Sequence, residues 1–534
     1  MRGVVRTAER ERFDHWVARA TRAFHLGRLR ESAALAQHAA SYAWHCHVDI
    51  FYSAEIESLL TLLAAQNSIV SGGHASNQRV HKVLHVLTQA YDIGGHTRLV
   101  RRWIEADKGR EHHIVITQQN ALPVPWQLQL QAEKSGGRLR IFDKSTDLLK
   151  DAIQLRQFGS DFDIIILHLH PHDVVPHIAW GNLNDHPPIA FLNHADHVFW
   201  IGASLADLVI NIRQSGLRVS LLRRGIPEER NAILPLPLDD CLPEQSRQDA
   251  RAKLSIDNDE FVALTVAAEG KFVPFKCIDF AKVHQPLLEM YDKLRIIIVG
   301  PSSSAAYWQQ WAKITNGRIQ AVGEQADISA YLSAADIYLD SFPFASLTSL
   351  LEAALAGVPA VAWHPYPEEA LANVMSIDDP ALDGLPLTYS DKAQYIARIG
   401  ELLTNAKEAK SYAQTVRTAL LGMHTGDGWR DRLETIYQRT SMLATKRPHG
   451  INNEALACPD LLDEILRRDP MRPRPIEVLD DRFLPYFGRL RFLAEGRFSL
   501  YDFSLYDIAK SVVPISLRRS LKSFSTRLFK AMPS

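Results

Sequence analysis

The sequence predicts an α/β protein in which two doubly wound, Rossmann-like parallel-sheet domains face a cleft, with an all-helical segment before them and a helical extension after them. Three observations predict this architecture. Short, continuously apolar runs alternate with helical patterns, the alternation runs through the chain twice, and a proline-rich stretch at 233–245 separates the two cycles. Continuously apolar strands are typical of parallel sheets that helices cover on both faces.

Length and composition exclude several classes of protein. The chain has 534 residues, enough for about two to four domains. A hydrophobic content of 46% excludes a disordered or collagen-like chain. Because 60 basic residues balance 61 acidic ones, no overall positive field favours a nucleic-acid partner.

The cysteines and the amino-terminal stretch indicate the compartment. Four widely spaced cysteines fit neither a zinc site nor a disulfide framework, so we expect free thiols: Cys46, Cys241, Cys277 and Cys458. The opening residues, MRGVVRTAERERF, lack the apolar core of a secretory signal. No window of about 18 residues is apolar enough to span a bilayer. We therefore expect a cytoplasmic protein.

The helical segment is predicted at 1–78. Apolar residues recur at helical spacing, for example at Phe13, Trp16, Val17 and Ala20. The stretch at 68–78 is small, polar and rich in glycine, which indicates a linker.

The first sheet domain is predicted at 79–240. Its opening strand KVLHVL is followed by a glycine-containing loop and the helical pattern TRLVRRWIEA. Five further runs predict buried strands: HHIVIT, LRIFD, FDIIILHL, PIAFLNHAD and ADLVINI.

The second sheet domain is predicted at 241–440. Its strand runs are FVALTVAA, LRIIIVG, RIQAVG, DIYLDSF and GVPAVAW. Ligands of such sheets bind beyond the carboxyl ends of the strands, so two facing sheets create a cleft between domains.

The extension at 441–534 ends in a basic stretch. Residues 505–534 carry six basic side chains against one acidic side chain, and an apolar stripe follows helical spacing. Such a stripe usually packs on its own protein. The alternative is peripheral contact with an anionic membrane at its inner face.

Two loops at predicted strand ends carry features suited to anions. In the first, Gly94, Gly95 and His96 precede a helix whose opening N–H groups favour negative charge. In the second, Lys271 and Lys276 stand five residues apart, where two cations can clamp a diphosphate. Taken alone, the glycines more often mark a plain turn, and the lysines are equally typical of a solvated loop.

In a third loop, hydroxyl groups precede and open a helix. Ser346, Thr348 and Ser349 offer hydroxyl and N–H groups to a phosphate, and Glu352 can accept hydrogen bonds from a ribose. The alternative is a helix cap followed by a first-turn acid, which stabilises any helix.

Together, the three loops resemble those of the GT-B glycosyltransferases over about residues 80–440. GGHTRLV resembles the family's acceptor-side loop, the spacing of Gly270, Lys271 and Lys276 is similar to its diphosphate clamp, and LLEAALAGVPAVA resembles its donor-nucleotide helix. The resemblance implies a nucleotide-diphosphate-sugar donor, UDP-linked by first expectation. It places both lysines at the diphosphate, Thr348 and Ser349 at its phosphates, and Glu352 at the ribose.

One departure from the family bears on stereochemistry. Many retaining members carry a Glu-x7-Glu pair, but Phe344 stands eight residues before Glu352. The stretch FPFASLTSLLEA resembles more closely the O-GlcNAc-transferase and bacterial protein N-glucosyltransferase group, whose members invert. The resemblance therefore slightly favours inversion.

Histidines are concentrated near the end of the first sheet domain. Seven of the 22 lie between 168 and 197, but no carboxylate-rich ligand set stands nearby, so we expect no metal. Within FLNHADHVFW, Asp196 is the best candidate for a base that deprotonates an acceptor, or for a group that orients a histidine. His194 and His197 are the alternative bases. The other interpretation is a loop whose side chains cap nearby backbone.

These features predict a glycosyltransferase that needs no metal or other cofactor, because fixed cations and helix N–H groups can stabilise the departing diphosphate. The first hypothesis for the acceptor is a cell-surface polysaccharide or lipid-linked oligosaccharide, and the second is a protein. Two other classes stay open. One is a sugar-nucleotide 2-epimerase, which needs no acceptor, and the other is a nucleotide- or glycan-binding subunit without catalysis.

Overall fold

The computed structural model describes most of the chain up to residue 452 and short parts of the remainder. The described residues are 7–67, 79–92, 95–120, 122–142, 146–182, 184–240, 242, 245–447, 449–452, 460–468, 482–488 and 491. The predicted linker at 68–78, Gly94 and the basic tail at 505–534 lie outside them, as do Cys241 and Cys458. The other two cysteines, Cys46 and Cys277, are free thiols.

Three helices open the described chain: α1 (Ala8–His25), α2 (Leu29–His45) and α3 (Ala54–Gln66). The hydroxyls of Thr7 and Ser53 accept first-turn N–H groups of α1 and α3, which fixes where both helices begin. Their apolar faces do not form a separate core. Trp16 and Leu60 share one buried cluster with Leu84 of the first sheet, so the helical segment covers a face of that sheet.

Seven parallel strands form the first sheet: β1 (Lys82–Leu87), β2 (Glu111–Ile116), β3 (Leu139–Ile141), β4 (Ile164–His168), β5 (Ile189–Asn193), β6 (Leu208–Asn211) and β7 (Asn231–Ile233). Their order in space is β3-β2-β1-β4-β5-β6-β7. Helices connect them: α4 (Gly95–Ala106), α5 (Trp126–Lys134), α6 (Leu148–Gly159), α7 (Val175–Trp180) and α8 (Gln214–Arg224). This sheet and α1–α8 are the first lobe.

Six parallel strands form the second sheet: β8 (Phe261–Val266), β9 (Leu294–Val299), β10 (Ile319–Ala321), β11 (Ile337–Leu339), β12 (Ala360–Trp363) and β13 (Thr388–Tyr389). Their order is β10-β9-β8-β11-β12-β13. The helices of this second lobe are α9 (Arg247–Lys253), α10 (Phe280–Met290), α11 (Ala306–Ile314), α12 (Ser329–Ala334), α13 (Thr348–Leu355), α14 (Lys392–Thr404) and α15 (Ala406–His424). The predicted fold class is confirmed. In each sheet the strand order reverses once, which marks a ligand crevice at the carboxyl ends.

Two further helices connect the lobes. They are α16 (Gly426–Ala444) and α17 (Leu461–Arg467). Residues 426–440 belong to the predicted second domain. In the structure α16 packs on α15 of the second lobe and also on the first lobe, where Trp429 meets Trp103 edge-on at 5.6 Å. A helical pattern alone does not reveal which lobe buries its apolar face. None of the helices in the described residues has the length and apolar content that a bilayer crossing requires.

Candidate active site

A cavity of about 760 Å³ lies between the two lobes. Loops at the carboxyl ends of strands in both sheets, the end of α2 and α17 form its walls. Nine predicted site residues line it: Gly95, His96, His194, Asp196, His197, Lys271, Lys276, Ser346 and Thr348. Ser349 and Glu352 of α13 are not among its lining residues. The fold thus brings four distant segments of the sequence to one place.

The amino ends of two helices meet at this cavity. A methyl group placed on Gly95, where α4 begins, would lie 3.7 Å from Thr348 Oγ1, where α13 begins. No side chain caps α13, which follows Leu347 at a φ of 48°. Uncapped N–H groups carry partial positive charge. This part of the cavity therefore favours an anion.

Lys271 is the lysine that the second lobe directs toward the cavity. It lies in a 3-10 turn after β8. Its Nζ donates to the carbonyl oxygen of Ala345 at 2.8 Å and lies 5.1 Å from the centre of the Phe344 ring. Burial lowers the pKa of Lys271 to about 8, although the carboxylate of Asp340 opposes that change. A diphosphate beside Nζ would favour the charged form.

Lys276 lies at the rim of the cavity and faces α17. Its Nζ is 3.0 Å from Glu464 Oε2, and 47% of its side chain is exposed. An exposed ion pair of this kind contributes little to stability. To act as the second lysine of the predicted clamp, Lys276 must exchange Glu464 for a phosphate.

The hydroxyl of Ser346 is already engaged. It donates to Asp340 Oδ1 at 2.6 Å, and the Ser346 N–H donates to the same oxygen at 2.9 Å. The hydroxyl of Tyr338 lies 3.0 Å from it. Ser346 therefore holds the loop before α13 in shape, which leaves Thr348 as the better placed phosphate ligand.

Glu352, the predicted ribose ligand, forms ion pairs across the lobes. Its Oε1 lies 2.9 Å from Arg102 Nη2 and 3.1 Å from Arg98 Nη1, both on α4. Arg102 also pairs with Asp239 at 2.7 Å. These pairs join α4 to α13. A ribose hydroxyl must compete with two guanidinium groups for this carboxylate.

Asp196 is buried in a bidentate ion pair. Arg213 Nε lies 2.7 Å from its Oδ2, and Arg213 Nη2 lies 2.9 Å from its Oδ1. Burial alone would raise the pKa of Asp196, but Arg213 and His197 outweigh it and hold that pKa well below the usual range. A carboxylate so stabilised is a poor base. Of its two predicted roles, the geometry favours orienting a histidine.

That histidine is His197. Its Nδ1 lies 3.3 Å from Asp196 Oδ1 and donates to it, and its ring meets Phe344 edge-on at 4.8 Å. Burial lowers the pKa of His197, although Asp196 opposes the change. The ammonium group of Lys271 packs on the same Phe344 ring. His197 therefore lies beside the lysine that is expected to bind the diphosphate.

His194 and His96 form the first-lobe wall of the cavity. Their rings pack at 4.4 Å between centres. His194 Nδ1 lies 3.3 Å from the carbonyl oxygen of Leu192, which can only accept, so Nε2 of a neutral ring holds the lone pair. Burial lowers both pKa values, that of His194 to about 4.

Sequence reasoning missed several residues that shape this site. They include Arg98, which pairs with Glu352, and the cavity-lining Arg102, Arg213 and residues of α2 and α17. Arg98 and Arg102 could have been found from the sequence, because both lie on the helix that directly follows the glycine loop. For α17 no motif marks the contact.

Among the described residues, one group of side chains has the spacing of a metal site. The possible ligand atoms of His47, Asp49 and Asp463 lie within 4.8 Å of one another. Both carboxylates already face guanidinium groups, since Arg223 is 2.8 Å from Asp463 and Arg467 is 2.7 Å from Asp49. These cations would repel a metal ion. The cluster is an ion-pair network that fixes α17 to the first lobe.

Solved structures share this two-lobed arrangement. A glycosyltransferase from Rickettsia africae aligns with a TM-score of 0.51 and 13% identity, over 68% of this chain and 98% of its own. An O-GlcNAc transferase variant from Thermobaculum terrenum aligns with a TM-score of 0.52 and 14% identity, over 81% of this chain and 85% of its own. No family model and no curated protein matches the sequence. The likeness lies in the fold, and the two lobes have the fold of the GT-B glycosyltransferases.

Proposed function

We propose that this protein is a glycosyltransferase that moves a sugar from a nucleotide-diphosphate-sugar, with UDP as the expected nucleotide, to an acceptor hydroxyl or amide. One observation carries the proposal. Lys271 and the uncapped amino end of α13 converge at a cavity whose opposite wall holds His194. The first two groups suit a departing diphosphate, and the imidazole suits an acceptor's proton.

The donor half of the site belongs to the second lobe. Negative charge grows on the diphosphate oxygen as its bond to the anomeric carbon breaks. Lys271 and the N–H groups of Thr348 and Ser349 are fixed before the reaction, so they stabilise that charge with little reorganisation. The proposed mechanism therefore needs no resident metal. Glu352 binds the ribose in competition with Arg98 and Arg102.

The acceptor half belongs to the first lobe. His194 is the proposed base, because its Nε2 holds the lone pair of the neutral ring and the ring lies on the first-lobe wall. The acceptor oxygen bonds to the anomeric carbon, the diphosphate leaves with the electron pair of the broken bond, and the proton passes to His194. Asp196 positions His197 beside the donor. A single displacement of this kind inverts the anomeric centre.

The acceptor enters beside the end of α2. Trp44, Phe199 and Ile465 give this part of the cavity an apolar and aromatic surface, which suits the C–H faces of sugar rings. This surface supports a glycan acceptor, as in the synthesis of cell-surface polysaccharide or other glycoconjugates. A protein acceptor is the second candidate, supported by the fold shared with an O-GlcNAc transferase.

A panel of nucleotide-sugars, each incubated with and without glycan and peptide acceptors, tests the proposal. We expect a new glycosidic bond by mass spectrometry, released nucleotide, and loss of both in His194→Ala. The matched control is His25→Ala, since His25 is an exposed residue at the end of α1. An isomerised sugar from donor alone would indicate a 2-epimerase, and nucleotide binding without turnover would indicate a binding subunit. Either result contradicts the proposal.

A further inference from the structure

Three histidines at the centre of the first sheet lie on neighbouring strands. His112 is on β2, His85 on β1 and His168 on β4, and all three are fully buried. His85 stands opposite Ile114 and Ile166 in the parallel register. His112 is thus two residues before that level and His168 two residues after it, on the same face. The rings run diagonally toward the carboxyl edge, where the cavity lies.

Hydrogen bonds join the three rings in a line. His85 Nε2 lies 3.0 Å from His112 Nδ1, and His85 Nδ1 lies 2.9 Å from His168 Nε2. At the other end, His112 Nε2 lies 3.2 Å from the carbonyl oxygen of Asp107 and 3.4 Å from its carboxylate. A metal site needs nitrogens that converge on one point. These nitrogens instead face one another in pairs.

Asp107 sets the direction of every bond in the line. Its oxygens can only accept, so His112 Nε2 carries a hydrogen atom. A neutral imidazole has one donor and one acceptor, so His112 Nδ1 accepts from His85, and His85 Nδ1 accepts from His168. The line ends at His168 Nδ1, a buried lone pair with no hydrogen-bond partner among the described residues. Burial lowers the pKa values of His85 and His168, which favours neutral rings.

The free end of the line lies next to the cavity wall. His168 meets His96 edge-on at 6.2 Å between ring centres. His96 in turn packs on His194, and both line the cavity. Trp103 packs edge-on against His85 and His168 at 6.0 Å and 5.7 Å and shields them from water.

The opposite end is surrounded by charged and polar groups. Arg110 lies 2.6 Å from Asp107, and the hydroxyl of Tyr437 on α16 donates to Asp107 at 2.8 Å. Arg110 also pairs with Glu434 of α16. His112, Arg110 and Tyr437 hold the pKa of Asp107 below its usual value, against the effect of burial. A carboxylate kept ionised in this way stabilises an imidazolium beside it.

We propose that His168, His85 and His112 form a proton relay, which carries a proton from the His96 and His194 wall of the cavity to the side of Asp107. The inference rests on the glycosyl transfer proposed above. The relay would accept the proton that the acceptor loses and hold it within the protein. His194 itself does not retain a proton at neutral pH, since burial lowers its pKa to about 4.

Each transfer in the relay is balanced. His194 takes the acceptor's proton on Nε2 and gives it to the ring nitrogen of His96 that holds a lone pair. His96 then gives the hydrogen of its other ring nitrogen to His168 Nδ1, which requires the His96 ring to turn, since neither of its nitrogens has a hydrogen-bond partner among the described residues. His168 then gives its Nε2 hydrogen to His85 Nδ1, and His85 gives its Nε2 hydrogen to His112 Nδ1. One proton has entered and His112 is an imidazolium beside Asp107. Every hydrogen bond between the rings has reversed.

Nitrogen-15 NMR of the histidine-labelled full chain tests the relay without any substrate. At neutral pH we expect His85 and His168 as neutral Nε2–H tautomers, and a hydrogen atom on Nε2 of His112. When a proton enters the line on acidification, His85 and His168 should change together to Nδ1–H tautomers. Nδ1–H tautomers at neutral pH, or three rings that titrate independently, would overturn the relay while leaving the proposed glycosyl transfer intact.

Kinetics of two variants then test its use in catalysis. His85→Phe removes the middle of the line, and Asp107→Asn removes the charge at its end but keeps the shape. We expect each to lower kcat by about tenfold or more, with an altered pH profile and solvent isotope effect and an unchanged KM for the donor. His113→Phe is the control, because this β2 histidine pairs with Glu111 outside the line.

The outcomes separate the two proposals. If Asp107→Asn folds, as judged by its NMR spectrum, and keeps the parent kcat and pH profile, the relay plays no part in transfer. If the parent chain catalyses no transfer with any donor, the proposed function fails together with the catalytic use of the relay. The concerted tautomer change would then still be present or absent by NMR.

Discussion

Replacing Lys271 by methionine tests the proposed donor site most sharply. Methionine keeps most of the length of the lysine side chain and can still pack on the Phe344 ring, which lies 5.1 Å from Nζ. The substitution therefore removes the charge and the hydrogen bond to Ala345 O while disturbing the shape of the cavity little. Lys276→Met is the matched control at the rim.

The structure predicts a different loss of kcat for each of the two variants. A fixed donor aimed at charge that develops in the transition state contributes about 2.7–4 kcal/mol, so Lys271→Met should lower kcat by about 10²–10³-fold. Lys276 is half-exposed and paired with Glu464. A solvated cation that is already paired is not fixed at the charge that develops on the diphosphate, so Lys276→Met should lower kcat by less than about tenfold.

The assay is steady-state release of nucleotide with the donor and acceptor that the panel identifies. Thermal unfolding of both variants shows whether each is folded. If Lys271→Met turns over within about threefold of the parent chain, a difference of about 0.7 kcal/mol, Lys271 does not stabilise the departing diphosphate. A larger loss in Lys276→Met than in Lys271→Met would assign the clamp to the rim instead.

Three further predictions follow from the same structure. In Gly216→Ala, the new Cβ would lie 2.7 Å from Asp196 Oδ2, so the carboxylate must move and stability should fall by about 1–3 kcal/mol in urea unfolding; an unchanged midpoint would show that the loop adapts freely. Because the pKa of Lys271 is about 8, the lysine is charged below that pH and loses its proton above it. Nucleotide affinity, measured by titration calorimetry, should therefore fall as pH rises through 8, and a flat profile would contradict the role of Lys271. Asp463→Ala leaves Arg223 buried without its partner and should lower the unfolding free energy by about 3–5 kcal/mol, whereas the exposed Asp427→Ala should have little effect.

The sequence predicted the two sheets well, because parallel strands that are buried on both faces appear in a sequence as continuous apolar runs. HHIVIT and FDIIILHL contain β2 and β4 almost completely. The packing of α16 on the first lobe was not predicted, because Trp429 and Tyr437 follow helical spacing whichever lobe they pack on. The shared core of the amino-terminal helices and the first sheet was not predicted for the same reason.

Within the candidate site, sequence reasoning located segments better than it assigned contacts. The loop with Lys271 and the start of α13 were singled out because glycine, lysine and hydroxyl residues at strand ends have a local chemical meaning. The ion pairs of Glu352 with Arg98 and of Asp196 with Arg213 depend on how distant elements pack. No local sequence pattern encodes these long-range contacts. The structure was therefore needed to assign the roles of both carboxylates.

A crystal structure with bound UDP tests the central claim most directly. We predict that its diphosphate lies within hydrogen-bond distance of Lys271 Nζ and of the Thr348 or Ser349 N–H group, with His194 across the cavity. A nucleotide bound away from the amino end of α13, or a diphosphate with the Lys271 side chain turned to bulk solvent, would contradict the account.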